Sequence, residues 1–97
     1  MSYQSRFASE DIELLFEAIL KLDNKDECYR FFEDLCTIKE IQDMGQRVRV
    51  VKMLDAKIPY QLISNETHAS TATISRVNKS LHYGADGYKL VLEKLKK

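Results

Sequence analysis

The chain has 97 residues, of which 44% are hydrophobic and 31% charged. This balance predicts a single globular domain and excludes a disordered or fibrous chain. The formal net charge is zero but unevenly divided, with eleven acids against five Lys or Arg in residues 1–45 (net −6) and four against ten in residues 46–97 (net +6). An acidic half followed by a basic half points to an anionic partner for one end of the fold, although charge attraction between the halves accounts for part of the pattern. No apolar run is long enough to span a bilayer, and "MSYQSRFASEDIELL" has no basic stretch ahead of an apolar core. The expected location is therefore the cytoplasm, with no membrane partner.

Residues 1–8 read as a flexible arm. Ser9 then caps a first helix, with Glu10, Asp11 and Glu13 at its positive end and an apolar stripe of Ile12, Leu15, Phe16, Ile19 and Leu22. "LDNKDE" interrupts it. Asn24, with Glu27 three residues on, opens a second helix that buries Cys28, Phe31, Phe32 and Leu35. Cys28 and Cys36 are eight positions apart, a spacing that fits no common metal site, and both read as reduced core residues. No metal or cofactor is expected. Thr37 and Glu40 in "TIKE" form a capping box for a third helix running to about residue 55. Its apolar face is Ile41, Met44, Val48, Val51 and Leu54. Gly45 inside it costs about 1 kcal/mol relative to alanine, offset by close approach of another helix or simply tolerated.

Pro59 marks the start of a short helix with Leu62 and Ile63 facing inward. "HAS" is a turn. Ser70 or Thr71 caps the next helix, and after "LHYGADG" Asp86 caps a last one with Tyr88, Val91, Leu92 and Leu95 inside. The periodicity is helical throughout, so the fold class is all-α with about six helices. Residues 9–56 would serve dimerisation, 59–81 a helix-turn-helix, and 85–97 a C-terminal helix.

The segment "ASTATISRVNKSL" (69–81) carries no acid, many hydroxyls and two alanines. At about 100° per residue, Ile74, Val77 and Leu81 share one side of a helix, and Ala72, Ser75, Arg76 and Lys79 share roughly the opposite one. Short side chains let a helix approach the floor of a DNA major groove. Hydroxyls can bond phosphates or base edges, and cations displace counterions. A short helix, a tight turn and a second helix match the helix-turn-helix length pattern, in which the N-terminal end of the second helix reads bases. Thr71, Ala72, Thr73, Ser75 and Arg76 are the expected contacts, with Lys79, Gln61 and Ser64 completing the DNA-facing set. Two packed helices with a polar surface would give the same pattern.

"GQRVRVVKML" followed by "STATISRVNKSL" resembles the tryptophan repressor superfamily, and "ECYRFFEDLCTIKEI" is similar to its YerC/YecD branch. The resemblance covers about residues 12–95. It implies an intertwined homodimer that binds operator DNA, and hence a transcriptional regulator, a repressor by kinship, without enzymatic activity. It also implies a corepressor pocket in which two arginines sandwich an indole. Arg47 and Arg76 match those positions, and Thr37 and Ser80 match others that line the pocket. Arg47 reads more simply as a solvated or dimer-interface helix residue. Val77 departs from the tryptophan repressor, which has glycine there, so the effector, if there is one, is not expected to be L-tryptophan. Gln61 stands where the repressor contacts guanine through arginine, so a different operator is implied. His68 stands where a turn glycine is common. A helical interaction module with an acidic protein partner, and a constitutive DNA binder without ligand control, remain as alternatives.

Overall fold

The computed structural model describes residues 3–97, which form six α-helices and no strand. They are α1 (Glu10–Leu20), α2 (Lys25–Leu35), α3 (Ile38–Asp55), α4 (Tyr60–Thr67), α5 (Thr71–Tyr83) and α6 (Gly87–Leu95). The chain divides into two units, Met1–Thr37 and Ile38–Lys97. The expected arm falls partly on residues 1 and 2, which lie outside the described residues. In the part that is described, Tyr3 and Phe7 are exposed, and Ser5 Oγ accepts the Phe7 N–H at 3.1 Å.

In the first unit, local side chains fix both helix starts. Ser9 Oγ accepts the Ile12 N–H at 3.2 Å. Asn24 Oδ1 accepts the Glu27 N–H at 2.9 Å, and Glu27 Oε1 reaches back to the Asp23 N–H at 2.9 Å. Each bond satisfies a donor that the helix itself leaves unpaired. Phe31 and Phe32 meet edge to face, with centroids 5.5 Å apart. Neither α1 nor α2 contains a buried residue. Phe16 and Leu35 of the expected stripes are about half exposed, at 53% and 50%. Both cysteines are free, as expected. Cys28 is exposed rather than in a core, because its side of α2 is uncovered, and Cys36 is half-buried.

The second unit has a continuous apolar interior: Val50 and Val51 of α3, Ile63 of α4, Ala69 of the turn, Ile74, Val77 and Leu81 of α5, and Leu92 of α6. Met53, Leu54, Ile58 and Tyr88 pack against it. The long α3 meets α4, α5 and α6, and it buries Val50, which lay outside the expected face, beside Val51, which lay on it. Met44 and Val48, assigned inward, are exposed. On α4, Ile63 occupies the core, while its neighbour Leu62, rotated by about 100°, is 51% exposed. On α6, Leu92 alone is fully inside, and Val91 and Leu95 are exposed.

Turn chemistry accounts for the remaining differences. Helix α3 ends in a Schellman arrangement: the Ile58 N–H donates to Met53 O at 3.1 Å and the Lys57 N–H to Leu54 O at 3.0 Å, with Lys57 at φ 64° where glycine is usual. Pro59 is the cap residue of α4, one position ahead of its first helical residue. Asp86 precedes α6 but adopts φ 66°, and its side chain makes no capping bond. A cap needs extended backbone to bring its oxygen over the next amides. Asp86 Oδ1 instead lies 3.6 Å from Lys89 Nζ. At Gly45 an added Cβ would meet nothing within 4 Å. Close helix approach within this chain does not explain that glycine. Among the described residues no helix is long and apolar enough to cross a membrane.

Candidate nucleic-acid interface

The site is built on the α4–turn–α5 segment of the second unit. The turn is held by side chains that bond backbone. Ser64 Oγ donates to Ala69 O at 2.9 Å. Thr67 Oγ1 donates to Ile63 O at 2.7 Å and accepts the Ala69 N–H at 3.1 Å. His68 takes the left-handed conformation (φ 63°, ψ 13°) that reverses the chain, a conformation that histidine tolerates better than most residues. Ala69 is buried, which anchors the turn to the core. Ser70 is the cap of α5: its Oγ accepts the Thr73 N–H at 3.1 Å and donates to Thr73 Oγ1 at 3.1 Å.

Burial of Ile74, Val77 and Leu81 fixes the rotation of α5. Thr71, Ala72, Ser75, Arg76 and Lys79 consequently face outward and are exposed, and Thr73 is half-buried. The first turn of α5 contains no acid. Among the described residues Arg76 and Lys79 form no ion pair, so their charge is not neutralised within the chain. A helix N-terminus with free amides, hydroxyls and two unpaired cations beyond it favours an anionic surface. Gln61 is exposed on α4, with Nε2 3.4 Å from Asn65 Oδ1. Ser64, expected to face DNA, is half-buried with its hydroxyl engaged in the turn.

The residues expected to form a ligand pocket differ in burial. Thr37 belongs to the first unit. Arg47, Arg76 and Ser80 are exposed, and Val77 is 3% exposed within the core. An open apolar groove of ≈450 Å³ runs past Val48, Val51, Tyr88, Val91 and Leu95. Of the expected pocket residues only Ser80 lines it.

Two functional candidates were not foreseen. Gln46 Nε2 donates to Thr67 O at 3.1 Å, and Arg49 Nη1 donates to Glu66 O at 3.3 Å. Arg49 Nη2 also lies 3.5 Å from Glu66 Oε2. That ion pair is exposed on both sides and contributes about 0–1 kcal/mol. The half-buried Gln46 bond contributes about 1 kcal/mol and has a fixed direction. The only sequence signal for this pair is the placement of two long polar donors, three residues apart, on one side of α3.

With this geometry established, comparison with known proteins places the chain. The family model of the Trp repressor protein matches residues 10–96. The chain is 48% identical over 91 residues to the uncharacterized protein YerC of Bacillus subtilis (strain 168), covering 94% of this chain and 88% of that one. A crystal structure of a candidate Trp repressor from Staphylococcus aureus superposes with a TM-score of 0.90 at 46% identity, covering 94% and 91% of the two chains. A TrpR-like protein from Eubacterium eligens ATCC 27750 superposes at 0.89 and 55% identity, covering 91% of each. The fold and these matches define a TrpR-like helical protein. The chain belongs to the Trp repressor family and, within it, is a relative of YerC.

Proposed function

We propose that this protein is a sequence-specific, DNA-binding transcriptional regulator that acts as a repressor, without enzymatic activity, in the cytoplasm. It works as a homodimer, in which twofold symmetry presents two α5 helices to two half-sites about one DNA turn apart. The observation that carries this reading is the outward face of α5. It is free of acid, lined with small and hydroxyl side chains, and bears the unpaired Arg76 and Lys79. Thr71, Ala72, Thr73, Ser75 and Arg76 read bases. Lys79 holds phosphate, and Gln61 contributes from α4. Ser64 acts through the turn.

Selection of duplexes from a random DNA pool tests the proposal, followed by titrations at several salt concentrations. Lys79→Ala should weaken binding to all sequences alike and reduce the salt slope by about one unit, as loss of one phosphate contact does. Thr73→Ala or Ser75→Ala should change sequence preference instead. If all three variants bind like the natural protein, α5 is not the reading helix. Binding of an acidic polypeptide with no duplex selected would favour a protein-interaction module.

A further inference from the structure

The last turn of α4 is tied to α3 by two side chains three residues apart. Gln46 donates to the carbonyl of Thr67 and Arg49 to that of Glu66. These carbonyls are among those that a helix end leaves without intrahelical partners. A guanidinium is also favoured at the negative end of the helix dipole. From Thr67 the connection continues without a gap. The Thr67 hydroxyl accepts the Ala69 N–H, Ala69 O accepts the Ser64 hydroxyl, and Ser70 caps the first turn of α5 on Thr73. A directional path therefore runs from the middle of α3 to the end of α5 that reads bases.

The apolar interior beneath this segment fixes which side of α5 faces inward. Ile63, Ile74 and Val77 are held by burial, a non-directional interaction to which hydrogen bonds add a preferred geometry. The Gln46 and Arg49 bonds are directional contacts between α3 and the end of α4. We propose that Gln46 and Arg49 are positioning residues that set the orientation of α5 relative to α3, and through it the half-site spacing that the dimer accepts. The inference rests on the DNA-reading role proposed above. It adds residues outside the helix-turn-helix to the determinants of operator geometry.

The test uses the full chain and a selected duplex, together with copies whose half-sites are moved one base pair closer or farther apart. The natural protein should discriminate between these spacings. Gln46→Ala and Arg49→Ala should keep the helix content and oligomeric mass of the natural protein. Their affinity for the selected duplex should fall about fivefold, the loss expected for one hydrogen bond. Their preference for the natural spacing should fall by a similar factor, and Arg49→Lys, which can still donate to the carbonyl, should restore part of it. A merely structural role would lower stability and leave the spacing preference intact. An unchanged preference in both alanine variants overturns the positioning role while leaving DNA reading in place. Should the natural protein select no duplex at all, the DNA reading fails first and this inference with it. Amide exchange provides a readout without DNA: Ala69 and Thr73 should exchange faster in Gln46→Ala, and equal rates would overturn the tether.

Discussion

Val77 stands where the ligand pocket implied by the family resemblance would need space. Its side chain is 3% exposed and lies on the same stripe as Ile74 and Leu81, so it cannot turn aside without opening the core. Arg47 and Arg76 retain the guanidinium groups that would stack on a flat ring. In such a pocket the branched side chain of Val77 would take up volume that an indole needs. Forcing additional volume into a fitted site costs about 1–3 kcal/mol, enough to weaken binding roughly five- to 150-fold. Calorimetric titration with L-tryptophan should therefore give no heat with the natural protein. Val77→Gly should lose stability, because it removes core volume and places glycine inside a helix, but it should gain tryptophan binding. Micromolar binding to the natural protein, with tighter DNA binding in its presence, would show that Val77 does not close the site.

At the scale of elements, the turn between α4 and α5 stores backbone strain at His68, with φ 63°. The left-handed conformation costs a residue with a Cβ about 1–2 kcal/mol, whereas glycine gives back about 0.5–1 kcal/mol through its more flexible unfolded state. His68→Gly should raise the stability measured in urea by up to about 1 kcal/mol. His68→Val should lower it, because a β-branched side chain suits this conformation least. A gain with valine would mean that the turn is not held as described. Such turns mark the boundary of what the sequence discloses. The caps at Ser9, Asn24 and Ser70 were legible because each is a contact between residues three apart. The outward set on α5 was legible because helical spacing alone fixes it once Ile74, Val77 and Leu81 are inside. Burial of Val50, exposure of Leu62, Val91 and Leu95, and the failed cap at Asp86 were not legible. They depend on which helix lies alongside, or on a backbone conformation that distant packing selects. The Gln46 and Arg49 tether was hidden for the same reason, since its acceptors are main-chain carbonyls, which have no residue identity.

For the whole molecule, the contrast between the two units carries the argument for a dimer. The second unit has an interior of its own. In the first, two helices with Ile12, Leu15, Phe16, Phe31 and Phe32 bury nothing completely. A chain of this size gains from a second copy that covers such faces. Sedimentation at micromolar concentration should give twice the chain mass of 11.3 kDa, and the unfolding midpoint should rise with protein concentration, as it does for any chain whose folded form is bound to a partner. A folded monomer with a concentration-independent midpoint would sink the two-half-site arrangement. A unit without an interior, if it is completed by a second copy as proposed, would also make abundance a control variable. If the dimer is the form that binds DNA, then while most chains are unpaired that form would grow as the square of total chain, and doubling synthesis would yield about four times as much of it. Dilution by cell growth lowers it just as steeply. Expression level would then set a threshold for the response, a role that an effector molecule fills in other regulators.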